Sequence, residues 1–374
     1  METAGKLAPL GFGFMRLPLK DADDPTSIDI DKCCELVDIF MDAGFTYFDS
    51  ARGYHGCKSE WALRKALVER YPRDSFTIAT KLPAWLAKDA DEARAMFDTS
   101  LEECGIDYFD YYLLHNLGET LTPPFDEYGL WEFCAEKKAE GKIKKFGFSI
   151  HDNAEELERV LDAHPEVDFV QLQVNYLDWD DPVTQSARCM EVAAAHGVPV
   201  IIMEPVRGGR LANLPERGAE VLAAADPDAS QASWAYRFCL DLPGVLTVLA
   251  GASTLDQMRD NMATFQSHAP LTEAERGAID GAIAALRSVD LIPCTNCGYC
   301  VKDCPEGVKI PIAMNLLNLE KTCEDNEFVK GLYSWQAAEG PASKCIQCGT
   351  CEAMCPQSIG IIDHLAEAVE HFEG

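Results

Sequence analysis

The sequence lacks any apolar run long enough to cross a membrane, and it is poor in basic residues. Its 374 residues include 32 lysine and arginine side chains against 62 aspartate and glutamate side chains, a formal net charge of -30. A surface of that sign repels nucleic acid and anionic lipid, so we expect neither as a partner. The first ten residues also lack the basic and apolar pattern of a secretory signal. We therefore expect a cytoplasmic protein without a membrane span.

Eight short apolar runs alternate with longer amphipathic stretches, a pattern typical of parallel βα units. The runs cover residues 10–14, 47–50, 76–81, 110–115, 145–149, 169–174, 199–203 and 246–250, and helix-like segments include 31–43, 58–69, 90–104, 131–140, 154–163 and 183–196. Glycines that follow these helices, as left-handed caps do, are Gly44, Gly105, Gly141 and Gly197. Eight such units predict an α/β fold, a (β/α)8 TIM barrel over residues 1–287.

Half of the sixteen cysteines fall into two identical runs near the carboxyl terminus. The first run is Cys294, Cys297, Cys300 and Cys304, the second is Cys345, Cys348, Cys351 and Cys355, and each reads C-x2-C-x2-C-x3-C-P. The other cysteines are expected to pack as small thiols, and they are Cys33, Cys34, Cys57, Cys104, Cys134, Cys189, Cys239 and Cys323. The repeated run is typical of iron-sulfur ligands, whereas zinc sites use paired C-x2-C knuckles and need no further cysteine before proline.

In two-cluster ferredoxins the fourth cysteine of each run binds the other cluster. This predicts one [4Fe-4S] cluster on Cys294, Cys297, Cys300 and Cys355, and a second on Cys345, Cys348, Cys351 and Cys304. Between the runs, residues 310–319 are helix-like and residues 327–338 are mixed. The segment resembles the helical type of dicluster ferredoxin module, so we expect residues 288–374 to form a mainly helical, ferredoxin-like domain. Such clusters favour an anaerobic setting.

Polar side chains stand near the ends of five successive predicted strands, where barrels of this kind place their chemistry. They are Asp49, Lys81, His115, Ser149 and Gln171.

Residues 48–54, Phe-Asp-Ser-Ala-Arg-Gly-Tyr, together with Lys81 in Thr-Lys-Leu and His115 in Leu-Leu-His, resemble the aldo/keto reductase family. The resemblance covers residues 7 to about 265. It implies that Tyr54 is the general acid and that Lys81 and Asp49 tune its acidity. It also implies that His115 orients the carbonyl of a small-molecule substrate. Chemistry agrees with these roles, because a carbonyl that accepts a hydride develops negative charge on oxygen and needs a positioned proton donor. Tyrosine alone is a weak acid, with a pKa of about 10, and a neighbouring lysine ammonium is expected to lower that pKa.

The same resemblance implies a nicotinamide cofactor. Ser149 and Gln171 resemble the family's clamp on the carboxamide, and Met203 stands where the family has an aromatic residue that stacks on the nicotinamide. The segment for the adenosine phosphates is matched by Gly251, Ser253, Thr254 and Asn261. Two departures stand out: Ile150 replaces the asparagine after the clamp serine, and Gln257 replaces the arginine that contacts the 2'-phosphate. Without that charged contact, NADP and NAD are both candidates.

We therefore expect an iron-sulfur oxidoreductase that reduces a carbonyl, or oxidises an alcohol, by hydride transfer. The clusters move single electrons, whereas a nicotinamide moves a hydride. Three explanations for the presence of both kinds of chemistry remain open. A bound flavin could convert between them, a ferredoxin or flavodoxin-type carrier could feed the site through the clusters, or the clusters could have a structural or sensing role. The alternative class is an electron-transfer or redox-sensing protein whose barrel only binds nucleotide.

Overall fold

The structure is a computed structural model that describes residues 10–21, 24–118, 122–182, 184–288, 291–292, 294, 299–302, 304–322, 326–355 and 359–374. The chain divides into two compact units. The first contains Met1–Ala212 and Ala229–Thr272, and the second contains Asn213–Asp228 and Glu273–Gly374. The predicted domain boundary after residue 287 stays a prediction. None of the helices in the described ranges is long and apolar enough to cross a membrane.

The first unit is a closed barrel in which each strand pairs in parallel with the next and the eighth pairs with the first. Its strands are β1 Leu10–Gly13, β2 Tyr47–Asp49, β3 Thr77–Leu82, β4 Phe109–Leu117, β5 Ile143–Ile150, β6 Phe169–Gln173, β7 Val200–Met203 and β8 Val245–Ala250. All eight predicted strands are therefore confirmed, as is the (β/α)8 architecture. The prediction missed the extra length of β4, whose pairing with β5 shifts register between Leu114 and Leu117.

Helices cover the barrel and build the second unit. They are α1 Ile30–Asp42, α2 Ser59–Leu63, α3 Ala90–Cys104, α4 Pro123–Glu127, α5 Leu130–Ala139, α6 Ala154–Ala163, α7 Ser186–Ala195, α8 Glu216–Ala225, α9 Gln231–Leu240, α10 Leu255–Gln266, α11 Glu273–Arg287, α12 Tyr299–Lys302, α13 Ile310–Thr322, α14 Asn326–Gln336, α15 Thr350–Ala353 and α16 Ile361–Phe372. The four predicted glycine caps all have positive φ, between 67° and 88°. The predicted helix 58–69 divides, because a π-helical turn over Arg64–Val68 follows α2.

Strand residues alternate between the barrel interior and the layer under the helices, as the two-residue period of a strand requires. The outward residues, such as Phe48, Phe148 and Val170, belong to the main hydrophobic core. The inward residues form a separate interior cluster of Tyr47, Ala79, Leu113, Phe169, Ile201 and Leu249. Next along the same inward face come Asp49, Lys81 and Gln171. The barrel is therefore packed through its middle, and its polar residues lie toward the carboxyl ends of the strands.

The second unit has a hydrophobic core of its own. Residues from α13, α14 and α16 provide most of it, including Leu317, Val329 and Leu365. Tyr333 on α14 ties this core to the end of the chain, since its hydroxyl donates to Glu373 Oε1 at 2.6 Å and accepts from the backbone N–H of Ala342 at 2.7 Å. Residues 327–338, predicted as mixed, are helical up to residue 336. The mainly helical character of this region is confirmed.

One close backbone approach inside the barrel gives a stability prediction. A Cβ atom at Gly147 on β5 would lie 2.2 Å from the carbonyl oxygen of its register partner Phe169 on β6. Gly147→Ala is therefore expected to lower the free energy of unfolding by about 1–3 kcal/mol, the usual cost of overpacking. The matched control is Gly277→Ala on α11, where nothing lies within 4 Å of the added atom. An anaerobic denaturant titration followed by circular dichroism compares them, and equal midpoints for both variants would contradict the prediction.

Candidate active site and cluster site

Three neighbouring strands bring the four predicted catalytic residues to one place. Asp49 ends β2, Lys81 is the fifth residue of β3, and His115 lies on β4. Tyr54 lies on the loop after β2, and its backbone N–H donates to the carbonyl of Ala51 at 3.1 Å. The loop is held at both ends, because Ser50 and Ser59 share a buried hydroxyl hydrogen bond of 2.8 Å.

Lys81 is the centre of the group. Its side chain is 1% exposed, and its Nζ donates to Asp49 Oδ1, to the carbonyl of Ser50 at 2.7 Å and to the hydroxyl of Tyr54 at 3.4 Å. The ammonium also lies 5.0 Å from the centroid of the Tyr54 ring. A buried ammonium needs such partners to offset the loss of water. Asp49 and Ser50 therefore fix the lysine so that one of its protons points at the tyrosine oxygen.

The titration of this group differs in one respect from the sequence-based expectation. Burial raises the pKa of Tyr54, and the Lys81 ammonium, which acts in the opposite direction, does not outweigh it. For Lys81, burial works against the charged form, but Asp49 and Tyr54 raise its pKa above the ordinary value. The expected lowering of the Tyr54 pKa is therefore wrong as a net effect. At neutral pH Tyr54 holds its proton and Lys81 holds its charge.

His115 and Trp85 form the wall beside the tyrosine. The His115 ring lies 5.5 Å from the Tyr54 ring in an edge arrangement and 5.1 Å from the Trp85 ring. Burial first, and then the Lys81 charge, lower the pKa of His115 well below its ordinary value. A neutral imidazole has one N–H donor for a carbonyl oxygen. Trp85 is 40% exposed and offers an apolar surface beside the His115 ring.

The two predicted carboxamide ligands lie side by side on the inward face. Ser149 on β5 and Gln171 on β6 are register partners, and each is 1% exposed. The Ser149 hydroxyl accepts a hydrogen bond from the backbone N–H of Asn116 at 2.8 Å, so its own proton is free to be donated. Gln171 Oε1 is buried and has no hydrogen-bond partner within the described part of the chain. One free donor and one unsatisfied acceptor suit a carboxamide.

The other predicted nicotinamide positions have different surroundings. Ile150 faces outward and is 2% exposed, so it does not replace the missing asparagine. Met203 ends β7 and packs against the interior cluster as a partly buried side chain. A methionine sulfur offers a polarisable surface to a ring, in place of an aromatic stack.

The predicted phosphate segment begins helix α10. Thr254 is its N-cap and forms a capping box with Gln257. The Gln257 Oε1 atom accepts from the backbone N–H groups of Ser253 at 2.8 Å and Thr254 at 3.2 Å. Asn261 Nδ2 donates to the carbonyl of Gly251 at 3.4 Å. These residues come together as predicted, but a phosphate would have to displace Gln257 from the two backbone donors.

Two arginines follow strands at the mouth of the barrel, the end where the carboxyl ends of the strands meet, and both lie near carboxylates. They are Arg16 after β1 and Arg207 after β7. Arg16 Nη2 lies 4.0 Å from Glu204 Oε1, and the Arg16 side chain is 53% exposed. Arg207 Nε lies 2.9 Å from Asp178 Oδ1, which is buried. The Ser253 hydroxyl donates to the carbonyl of Arg16 at 2.8 Å, which ties the first loop of the barrel to the phosphate segment. Arg16 is thus the more accessible of the two for an anion.

A pocket in the second unit is lined by four of the cluster cysteines. They are Cys304, Cys345, Cys348 and Cys351, and the apolar residues Val308, Ile310 and Leu365 lie around them. This is the set that the crossed ligation pattern assigns to the second cluster. The backbone turns through the motif with positive φ at Gln347 and Gly349, 58° and 77°. Positive φ at these two positions turns the backbone sharply between Cys345 and Cys351.

Backbone amides point at two of these sulfurs. The N–H of Val308 donates to Cys304 Sγ and the N–H of Gln347 donates to Cys345 Sγ, each at 3.4 Å. Such donors stabilise the charged thiolates of iron-sulfur sites and tune the cluster potential. The donor set therefore fits a cluster. Of the other predicted set, Cys300 is buried and Cys294 and Cys355 are partly buried, while Cys297 lies outside the described residues.

The fold and the side chains at its mouth define a TIM-barrel oxidoreductase that carries a cysteine-rich cluster module. Residues 9–284 match the model of the aldo/keto reductase family, and residues 293–360 match the model of the 4Fe-4S dicluster domain. The chain belongs to the aldo/keto reductase family and carries a C-terminal 4Fe-4S dicluster domain.

Individual relatives agree at the level of the fold and the family. The aldo-keto reductase AKR11C1 from Bacillus halodurans, in its holo form, has 26% identity and a TM-score of 0.59 over 73% of this chain and 91% of its own. An aldo-keto reductase from Klebsiella pneumoniae, solved in complex with NADPH, has 22% identity and a TM-score of 0.58 over 73% and 90%. Protein REDOX 2 from Catharanthus roseus is 31% identical over 37% of this chain, a match that spans 49% of that protein.

The sequence analysis missed a polar network at the mouth. It consists of His151, Gln173, Asn175 and Asp178, which follow the predicted clamp on β5 and β6. The signal was available, since His151 and Gln173 stand two residues after Ser149 and Gln171 and so share their face.

Proposed function

We propose that this protein reduces a carbonyl group of a small molecule with a nicotinamide cofactor, and that Tyr54 donates the proton. One observation carries the proposal: the Tyr54 hydroxyl lies 3.4 Å from Nζ of a buried lysine that is itself bound to Asp49. A barrel that only bound nucleotide would not need a tyrosine beside a desolvated ammonium. The tetrad of Asp49, Tyr54, Lys81 and His115 therefore favours an enzyme that turns over its substrate, over the alternative of a nucleotide-binding sensor.

Each of these side chains has its own role in the reduction. The bound cofactor supplies the hydride. Tyr54 gives its proton to the carbonyl oxygen as negative charge develops there, and the Lys81 ammonium stabilises the phenolate that remains. His115, neutral because its pKa is lowered, donates a hydrogen bond to the same oxygen and orients it. Trp85 and His115 together exclude water from one side of the reacting group.

The cofactor contacts follow from the inward face and the phosphate segment. Ser149 and Gln171, whose buried Oε1 has no partner among the described residues, would hold the carboxamide, and Met203 would offer an apolar surface to the nicotinamide ring. Gly251, Ser253, Thr254 and Asn261 surround the adenosine phosphates. The Klebsiella pneumoniae protein with the same fold is solved in complex with NADPH, which supports a nicotinamide here. Gln257 has no charge for a 2'-phosphate, so we propose that NAD and NADP are both accepted.

The clusters connect this chemistry to an external partner. When bound, each [4Fe-4S] cluster passes one electron at a time. We propose that Cys304, Cys345, Cys348 and Cys351 hold one cluster, and that Cys294, Cys297, Cys300 and Cys355 hold the other. A one-electron carrier of the ferredoxin or flavodoxin type is the proposed partner. No feature of the described residues favours a flavin.

Anaerobic protein mixed with NADH or NADPH and a panel of aldehydes and ketones tests the proposal. Cofactor oxidation is expected only when a carbonyl is present. Because the Tyr54 pKa is raised, the proton-donating form persists through neutral pH and is lost as pH rises through that pKa. The value of kcat/KM should therefore stay flat from about pH 6 to about pH 9 and fall at higher pH. Tight cofactor binding without turnover of any carbonyl would favour the sensor instead.

A further inference from the structure

The inward face of the barrel continues past the predicted clamp by one more layer. Side chains two residues apart on a strand share a face, so His151 follows Ser149 and Gln173 follows Gln171. Ile150, between the two β5 residues, faces outward into the main core. His151 comes directly after the end of β5, is exposed, and donates its backbone N–H to the carbonyl of Leu117 at 3.3 Å. It is the next polar side chain above Ser149 at the mouth.

A chain of polar contacts fixes this histidine. His151 Nδ1 lies 3.0 Å from Gln173 Oε1, and Gln173 Nε2 donates to Asp178 Oδ2 at 2.8 Å. Asn175 Nδ2 donates to the same oxygen at 2.8 Å. The other carboxylate oxygen lies 2.9 Å from Arg207 Nε, and Asp178 is 1% exposed. The histidine ring is therefore connected to a buried carboxylate through one glutamine.

These contacts determine which ring nitrogen carries the proton. A carboxylate that forms an ion pair with a guanidinium only accepts hydrogen bonds, so Gln173 must turn its NH2 group to Asp178 and its oxygen to His151. His151 Nδ1 must then be the donor, which leaves Nε2 as an acceptor in the neutral ring. Nε2 makes no hydrogen bond to any other described residue. An oriented acceptor thus stands at the mouth, and no residue in the described part of the chain binds it.

Together with the clamp, His151 completes a pattern that matches a primary amide. Ser149 has a free hydroxyl donor, Gln171 Oε1 is an unsatisfied buried acceptor, and His151 Nε2 is a second acceptor. A primary carboxamide has one acceptor oxygen and two N–H donors. We propose that His151 Nε2 binds the amide nitrogen of the nicotinamide carboxamide, with Gln173 as its positioning residue. This proposal rests on the proposed function. It assigns to His151 the carboxamide contact that is expected from the family's asparagine and that Ile150, at the asparagine's position, does not make.

The surroundings of His151 keep its ring neutral, as an acceptor must be. Although the residue reaches the surface, the protein around the ring takes water away from it and lowers its pKa, and the Lys81 ammonium acts in the same direction. The hydrogen bond to Gln173 and the Glu204 carboxylate oppose this but do not reverse it. His115, whose pKa burial and the Lys81 charge hold well below its ordinary value, is neutral as well.

Cofactor analogues test the assignment without any turnover. In 3-acetylpyridine adenine dinucleotide a methyl group replaces the amide nitrogen and the carbonyl is kept. Anaerobic calorimetric titration should show His151→Leu binding NAD about threefold to tenfold more weakly than the parent protein, the usual loss for one hydrogen bond. Binding of the acetylpyridine analogue should not change, because it lacks the donor. His151→Asn, which keeps an acceptor, should restore most of the preference for NAD over the acetylpyridine analogue. Gln173→Met should lose part of that preference.

His196→Leu is the matched control. His196 is the C-cap residue of α7, away from the carboxyl ends of the strands, and its Nε2 lies 3.1 Å from Asp162 Oδ1. This control should bind both dinucleotides like the parent. Equal weakening of both by His151→Leu, or no weakening of either, would overturn the assignment and leave the proposed function intact. A His151→Leu variant that loses only kcat/KM for the carbonyl would also overturn the assignment, because His151 would then be a substrate contact. A parent protein that binds no dinucleotide would refute both proposals.

Discussion

Tyr54→Phe is expected to lower kcat/KM for carbonyl reduction by about 10² to 10⁴, the contribution of a positioned general acid. The change removes only the hydroxyl, so the ring keeps its contact with His115 at 5.5 Å and its place beside the Lys81 ammonium. Cofactor affinity should therefore stay within about twofold, since the lost group acts on the transition state rather than on binding. Steady-state kinetics and cofactor titration on the same anaerobic samples separate the two effects.

Tyr71→Phe is the matched control for this variant. The Tyr71 hydroxyl donates to Asp38 on α1, away from Tyr54 and Lys81, so this change also removes one tyrosine hydroxyl that is hydrogen-bonded to a charged side chain. The control should keep the parent kcat/KM. If Tyr54→Phe also kept it, another group would donate the proton and the tetrad assignment would be wrong.

Cys304→Ser is expected to remove the cluster of the second cysteine run, although Cys304 belongs to the first run in sequence. The reason is the pocket that Cys304 shares with Cys345, Cys348 and Cys351. Iron should fall from about eight to about four atoms per chain. Iron analysis and the visible absorbance of anaerobically purified protein measure the loss.

Double variants show which cluster Cys304 serves. Cys304→Ser combined with Cys345→Ser should lose no more iron than either single variant, because both ligands hold one cluster. Cys304→Ser combined with Cys294→Ser should lose nearly all of it. The reverse result would mean that each run holds its own cluster and that the crossed pattern is wrong. Cys34→Ser, a partly buried thiol on α1, is the control and should keep the parent iron content.

Most of the fold could be predicted because its rules are local. Short apolar runs between amphipathic stretches predict the eight strands, the glycines after the helices predict four left-handed caps, and the family match confirms the barrel. The cysteine runs were equally direct, since their spacing alone carries the chemistry. Tyr54, Lys81 and His115 are far apart in sequence, but strand-end positions in a closed barrel meet at one mouth.

What the sequence did not predict depends on tertiary environment. The net direction of the Tyr54 pKa results from burial against the Lys81 charge, and burial cannot be read from a motif. Gln257 was recognised as the residue in place of an arginine, but its capping of α10 required coordinates. The tautomer of His151 follows from Asp178 and Gln173, a chain of contacts that joins three loops and strands.

Deuterium transfer tests the central claim most directly. Anaerobic protein is given a carbonyl substrate and NADH or NADPH deuterated at the 4-position of the nicotinamide ring, on one face and then on the other. Hydride transfer in the barrel predicts that one of the two labelled cofactors delivers deuterium to the former carbonyl carbon of the product. Product that carries only solvent hydrogen at that carbon, with cofactor consumed, would contradict the account, because the electrons would then have reached the substrate through the clusters.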